Sequence, residues 1–222
     1  MKIKNLFLLA ISCLLLSSCF VKSLHPFYTS KTIAFDTRFI GEWEDEKKGI
    51  WTVIPFKEKF LEEEKTPLEE MSQESQIIYE KYKEGYYVNY KKNGKESDYL
   101  VIPFQLKNQL FLDFTPLFVD SNDLSSLTQN HLIPTHSLVK FDVLKNNSIS
   151  MKWLDESRLT ELFKNNKIKI KHEKTGIADD GILLTASSEE LQKFIKKYMS
   201  SNDDEKWSTD TNFTLTKADV KP

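Results

Sequence analysis

Tyr86-Tyr87-Val88-Asn89-Tyr90 is followed by Asn93-Gly94, then by Tyr99 to Phe104, Lys107-Asn108 and Leu110-Phe111-Leu112-Asp113-Phe114. Tyr86, Val88 and Tyr90 share one face of an extended chain while Asn89 and Lys91 point to the other, the two-residue period of a half-buried strand. Asn93-Gly94 is a strong turn pair, because both residues tolerate the positive φ of a tight hairpin loop. Lys107-Asn108 reverses the chain once more. Consecutive antiparallel strands are therefore predicted through this stretch.

The same grammar extends in both directions. Phe39 to Glu44 and Ile50 to Ile54 flank the polar turn Asp45 to Gly49 and read as another hairpin. Leu61 to Glu74 is acidic, contains Pro67 and reads as a loop or short helix, and Gln76 to Tyr82 reads as a strand. Further on, Val139, Phe141 and Val143 alternate within Ser137 to Leu144, and Asn146-Asn147 turns the chain into Ile149, Met151 and Trp153. Ile168 and Ile170 between lysines, Ile182 to Thr185, and Phe213 with Leu215 supply more strands. Two helices interrupt them. Glu156 to Asn165 has Asp155 as its N-cap, and Ser187-Ser188-Glu189-Glu190 has capping-box spacing ahead of Leu191, Phe194, Ile195 and Tyr198 on one face. The expectation is a mainly β protein (α+β by content), an antiparallel curled sheet, barrel or sandwich of about eight to ten strands with two packed helices.

Composition bounds the rest. The 222 residues are 40% hydrophobic, 12% aromatic and 29% charged, enough for a sizeable core and incompatible with wholesale disorder or a multi-span membrane protein. A formal net charge of −2 offers no basic excess to neutralise phosphates, so no nucleic-acid partner is expected. There is no evident repeat and no linker within the body, which argues for one domain.

Lys2 and Lys4 precede an apolar run, Leu6 to Leu16, and then Ser17-Ser18-Cys19. A run of about eleven residues is a signal-peptide core, since a membrane-spanning helix needs roughly twenty. Leu16-Ser17-Ser18-Cys19 resembles the lipobox of bacterial lipoproteins. The resemblance implies cleavage before Cys19, a diacylglyceryl group on its sulfur and an acyl chain such as palmitate on its amine. Cys13 would go with the leader, so no cysteine remains for a disulfide, a thiolate metal site or a nucleophile. Two or more acyl chains anchor durably where one is marginal. Phe20 stands where some envelope lipoproteins carry an acidic inner-membrane retention residue, so the expected address is the outer membrane, facing the periplasm. The division that follows is a signal peptide over 1–18, a lipidated N-terminal tether over 19–35 and a single β-rich domain over 36–222. Docking of Pro26, Phe27 and Tyr28 onto that domain is the alternative to a free tether.

Gly41-Glu42-Trp43 resembles the GxW signature of lipocalins, which implies a tryptophan closing one end of an eight-stranded barrel around an apolar ligand. Alternatively, Trp43 simply anchors the core beneath the first hairpin. A broader set comprises Ser23-Leu24-His25-Pro26-Phe27-Tyr28, Phe35-Asp36, Phe111-Leu112-Asp113, Pro134-Thr135-His136, Leu184-Thr185-Ala186 and Leu191-Gln192. It resembles a group of uncharacterised bacterial lipoproteins and imports no activity from them.

Chemistry-bearing residues are sparse. His131 and His136 lie five apart with Pro134 between them, which rules out a helical metal pair, and on a strand they would face opposite ways. A metal-dependent envelope hydrolase using His131, His136 and Asp113 is the alternative function, and it would need a loop geometry to bring them together. Ser137 beside His136 supplies the residue types of a triad, but adjacent strand residues point apart, and neither a GxSxG elbow nor a phosphate loop is present. Lys167-Ile168-Lys169-Ile170-Lys171 reads as the outer face of an edge strand. The leading expectation is a non-enzymatic binding or assembly lipoprotein with no catalytic residue, metal or cofactor. Its partners are membrane lipid through acylated Cys19 and an apolar ligand or envelope protein, with Trp43, Asp113, His131 and His136 as candidate ligand contacts.

Overall fold

The computed structural model describes residues 20–117, 125–129, 131–176, 178–179 and 181–218, so the leader and Cys19 lie outside the described residues. The strands are β1 (Lys22–Ser23), β2 (Gly41–Asp45), β3 (Ile50–Pro55), β4 (Tyr86–Lys92), β5 (Lys95–Leu106), β6 (Gln109–Leu117), β7 (His136–Val143), β8 (Ile149–Trp153), β9 (His172–Thr175), β10 (Gly181–Leu184) and β11 (Asn212–Lys217). Each strand from β2 to β7 pairs antiparallel with its successor, and β11 pairs with both β8 and β2. That closes an eight-stranded up-and-down barrel, lipocalin-like in general shape. The turns obey their residues: Asn93 and Gly94 have φ of 51° and 74°, Lys107 of 55° and Asn147 of 60°.

Five α-helices lie among the described residues: α1 (Phe56–Glu64), α2 (Gln73–Tyr82), α3 (Ser126–Gln129), α4 (Glu156–Lys164) and α5 (Ser188–Met199). No helix among these residues is long and apolar enough to cross a membrane. The Asp155 carboxylate accepts the Arg158 N–H at 2.9 Å and starts α4. At the head of α5, Ser187 Oγ accepts the Glu190 N–H while Glu190 Oε2 accepts the Ser187 N–H, a reciprocal capping box.

Two hydrophobic cores result. Inside the barrel, Trp43, Tyr86, Val88, Phe141, Ile149 and Met151 are essentially excluded from solvent. Outside it, Phe104, Phe111 and Leu138 on the outer face of β5–β7 meet Leu159 and Leu162 of α4 and Leu191 and Ile195 of α5. β5, β6 and β7 are thus covered on both faces, which explains their continuous buried runs rather than clean alternation. β1 lies beside the start of β7 and runs parallel to β10, which pairs with β9, so a small external sheet branches off the barrel.

Three local expectations are corrected. Gln76 to Tyr82 is not a strand but most of α2, capped by Ser72, and its Tyr79 and Tyr82 rings meet Phe60 and Phe56 of α1 at 5.9 Å. Its apolar residues recur at helical spacing, and that packing overrides their strand propensity. Leu61 to Glu74 is correspondingly the end of α1, a 3-10 turn at Leu68–Glu70 and the start of α2. Ile168 and Ile170 are not on a strand either. β9 starts at His172 opposite Leu184, and beyond Thr185 the neighbouring chain turns into α5, leaving 167–170 no ladder partner. The tether drawn over 19–35 gives way, over the described residues 20–35, to its docking alternative: Val21 and Phe27 are fully buried, and Lys22 and Ser23 are ladder residues.

Buried phenols add a pH dependence. Tyr86 Oη donates to the Asp36 carbonyl at 2.7 Å and accepts the Asp36 N–H at 2.8 Å, and the Tyr198 hydroxyl donates to the Lys206 carbonyl. Burial pushes both above the ordinary tyrosine value of 10.0. A raised pKa means that their stabilisation is complete below pH 10 and is lost as pH rises beyond it. Urea unfolding from pH 8 to 12 should show stability falling above pH 10 by about 1.4 kcal/mol per pH unit for each phenol, and Tyr86→Phe should remove one share of that slope.

Candidate functional site

β6 turns Leu112 and Phe114 into the barrel and Phe111, Asp113 and Thr115 away from it. Asp113 is nonetheless fully buried, because the N-terminal segment lies across it. Its Oδ2 accepts the Phe27 N–H at 2.7 Å, and its Oδ1 lies 2.7 Å from His136 Nδ1. A carboxylate only accepts, so the imidazole Nδ1–H donates. Thr115 Oγ1 lies 3.0 Å from the same nitrogen. His136 opens β7 and is the Cα partner of Ser23 in β1. The two residues are therefore brought together by strand register and by nothing local in sequence.

The surrounding contacts continue the clamp. Ser23 Oγ donates to the Leu184 carbonyl and accepts the His25 N–H, while Gln192 Nε2 on α5 donates to the Phe27 carbonyl at 3.3 Å and to Thr32 Oγ1 at 2.9 Å. Ser23, His25, Phe27, Asp113, His136, Leu184 and Gln192 all stand in the motifs that carry the lipoprotein resemblance, and all meet here. The constellation fastens residues 20–33 between the barrel wall and α5. Ser137, the hydroxyl beside His136 in sequence, is buried on the opposite face and accepts the Trp153 Nε1–H at 3.2 Å.

His131 is not part of this cluster. It is exposed, with Nδ1 2.7 Å from the Leu127 carbonyl. No group of three or more His, Cys, Asp or Glu able to hold a metal ion occurs among the described residues. Trp43 stands at the middle of β2 opposite Trp51, 1% exposed, its Nε1–H donating to the Phe39 carbonyl at 2.8 Å. The Lys217 ammonium lies 3.9 Å from the indole centroid and donates to the Ile40 carbonyl, and burial lowers its pKa. Gly41 has φ of 120°, and a Cβ there would come within 2.7 Å of Lys217 Nζ, so the glycine of Gly-x-Trp makes room for the cation.

A cluster of aromatic rings packs beside Trp43. Trp51 packs on Tyr90 (4.3 Å) and Phe213 (5.1 Å), and Trp153 packs on Phe114 (5.2 Å) and Phe213 (5.6 Å). The interior of an eight-stranded barrel is wide enough to be filled by its own side chains or to hold one small ligand. Among the described residues, a groove of about 960 Å³ runs on the outside of the barrel, between α5, the end of α4 and residues 167–171. A second hollow of about 450 Å³ adjoins it, sharing Lys167, Ile168, Phe194 and Lys197. The Lys-Ile-Lys-Ile-Lys run was visible in sequence, but its partner on α5 was not. Comparison with family models, with curated proteins and with solved structures finds no match to the chain.

If Asp113 serves as a clamp, Asp113→Ala should orphan the Phe27 N–H and the His136 imidazole and cost about 3 kcal/mol in urea unfolding. Limited proteolysis should then cut within residues 20–35 before the barrel is attacked, while Asp113→Asn, which keeps an acceptor, should recover most of the loss.

Proposed function

We propose that this chain is a lipid-anchored, non-enzymatic binding module of the bacterial envelope, held at the outer membrane on its periplasmic side. The observation that carries the reading is that Leu16-Ser17-Ser18-Cys19 directly precedes Phe20 and Val21, which are tied to the body. Phe20 is bridged to Asp155 and its ring lies 6.4 Å from Trp153, and the Val21 N–H bonds the Leu154 carbonyl at 2.9 Å. An acylated Cys19 would therefore be one residue from a rigid attachment, and the barrel would ride against the bilayer instead of swinging on a leash. Two or three acyl chains would make that attachment durable.

The non-enzymatic part is supported by how the reactive residues are used. Asp113 and His136 satisfy each other and the strap, Ser137 serves Trp153, and His131 stands apart. What remains for a partner is surface and groove.

Intact-mass measurement of chain isolated from cell membranes should give a polypeptide starting at Cys19 with two or three acyl groups. Cys19→Ala should incorporate no labelled palmitate and keep its leader. An unmodified thiol at Cys19 would sink the anchor.

A further inference from the structure

The groove between α5 and residues 167–171 has an unusual division of chemistry. Phe163, Ile168, Ile170 and Phe194 form its floor, half-buried and packed on the outer core. Lys167, Lys169 and Lys171 rise from one side, and Lys193 and Lys197, one helical turn apart on α5, from the other. All five are exposed, and none is ion-paired among the described residues. The single carboxylate lining the groove, Glu190, is already engaged in the α5 capping box. Five cations against one carboxylate, in a chain of formal net charge −2, is a strong local concentration of positive charge.

The alternation that produces it is simple. In the extended run 167–171 successive side chains point to opposite sides, so the two isoleucines turn down onto the core while the three lysines stay in water. Lysine stems lying over apolar surface are ordinary. A hollow of about 960 Å³ beneath them is not, and that volume falls within the range of small-molecule sites. We infer that this groove binds single anionic amphiphiles, with the acyl chain on the isoleucine–phenylalanine floor and a carboxylate or phosphate head among the lysines. The inference builds on the binding-module reading and names its ligand class.

Position agrees with that chemistry. Phe20 is bridged to Asp155 at the start of α4, and the groove opens at the other end of this nine-residue helix, about 13 Å away along its axis. A lipid leaving or entering the membrane would need to travel little further.

The test uses the full chain in isolated membranes and a diazirine-bearing palmitate, with crosslinks mapped by peptide mass spectrometry. Label should concentrate on peptides holding Ile168–Ile170 and Phe194, saturate, and be displaced by oleate. Lysophosphatidate competing as well as oleate would place phospholipid among the sources, and oleate competing alone would restrict the site to fatty acids; either supports the proposal. Lys169→Glu, Lys193→Glu and Lys197→Glu together should lower groove labelling roughly tenfold or more, while Lys57→Glu should leave it unchanged. Equal labelling by the diazirine fatty alcohol, an unchanged signal in the triple variant, label mapping elsewhere on the barrel, or displacement by inorganic phosphate alone would each overturn it. A chain whose Cys19 proves unmodified but whose groove still labels would fail the anchor and keep this site.

Discussion

A carboxylate with no access to water must have its charge met by protein groups, and Asp113 meets that demand with a backbone amide and an imidazole brought from distant parts of the chain. Phe27 is 86 residues away and His136 is 23. Satisfying Asp113 therefore fixes where the N-terminal strap lies and how the start of β7 is presented. Phe27, fully buried beneath the strap, then completes the outer core with Leu184 and Leu191. The hydrophobic contribution of that layer is large but non-directional, whereas the polar pair selects one placement of the strap among several that would bury similar area.

The same arrangement makes the barrel wall unusual. A curled antiparallel sheet ordinarily shows one face to solvent, and β2 to β4 keep an alternating pattern of burial along part of their length. β5 to β7 do not, because α4, α5 and the strap cover them from outside. The barrel is an inner shell in this sector. Its inward residues, aromatic and aliphatic, are buried, so a perturbation on one face of β6 meets packed side chains on the other.

Much of the architecture was legible in the sequence because it is local. Asn93-Gly94, Lys107-Asn108 and Asn146-Asn147 carry turn chemistry, and the two-residue alternation around them needs no tertiary information. The capping box at Ser187 and the N-cap at Asp155 were equally readable. Ile77, Ile78 and Tyr79 misled because their strand propensity competes with a helical contact to Phe56 and Phe60, which exists only after α1 and α2 pack together. Asp113 and His136 could be singled out as residue types, but their contact depends on the β6–β7 register. The groove was harder still. Its floor and its lysines come from two segments that meet through the outer core, and the run at 167–171 reads as an edge strand until β10 is seen to hand over to α5.

The barrel interior buries a set of large aromatic side chains, Trp43, Trp51, Phe114, Phe141 and Trp153 among them. The residues between β8 and β11 build a different kind of surface outside it. They hold α4, β9, β10 and α5, add a second layer to the wall, and leave a lysine-rimmed hollow at the junction of helix and extended chain. Such a hollow suits a ligand with one greasy and one anionic end better than a wholly apolar one, since a neutral guest gains nothing from the five exposed ammonium groups around the floor whereas an anionic head meets them. The two layers thus divide the work by their chemistry: the inner shell holds shape through rings that have no solvent to face, and the outer layer keeps its charges wet and its apolar floor half-open.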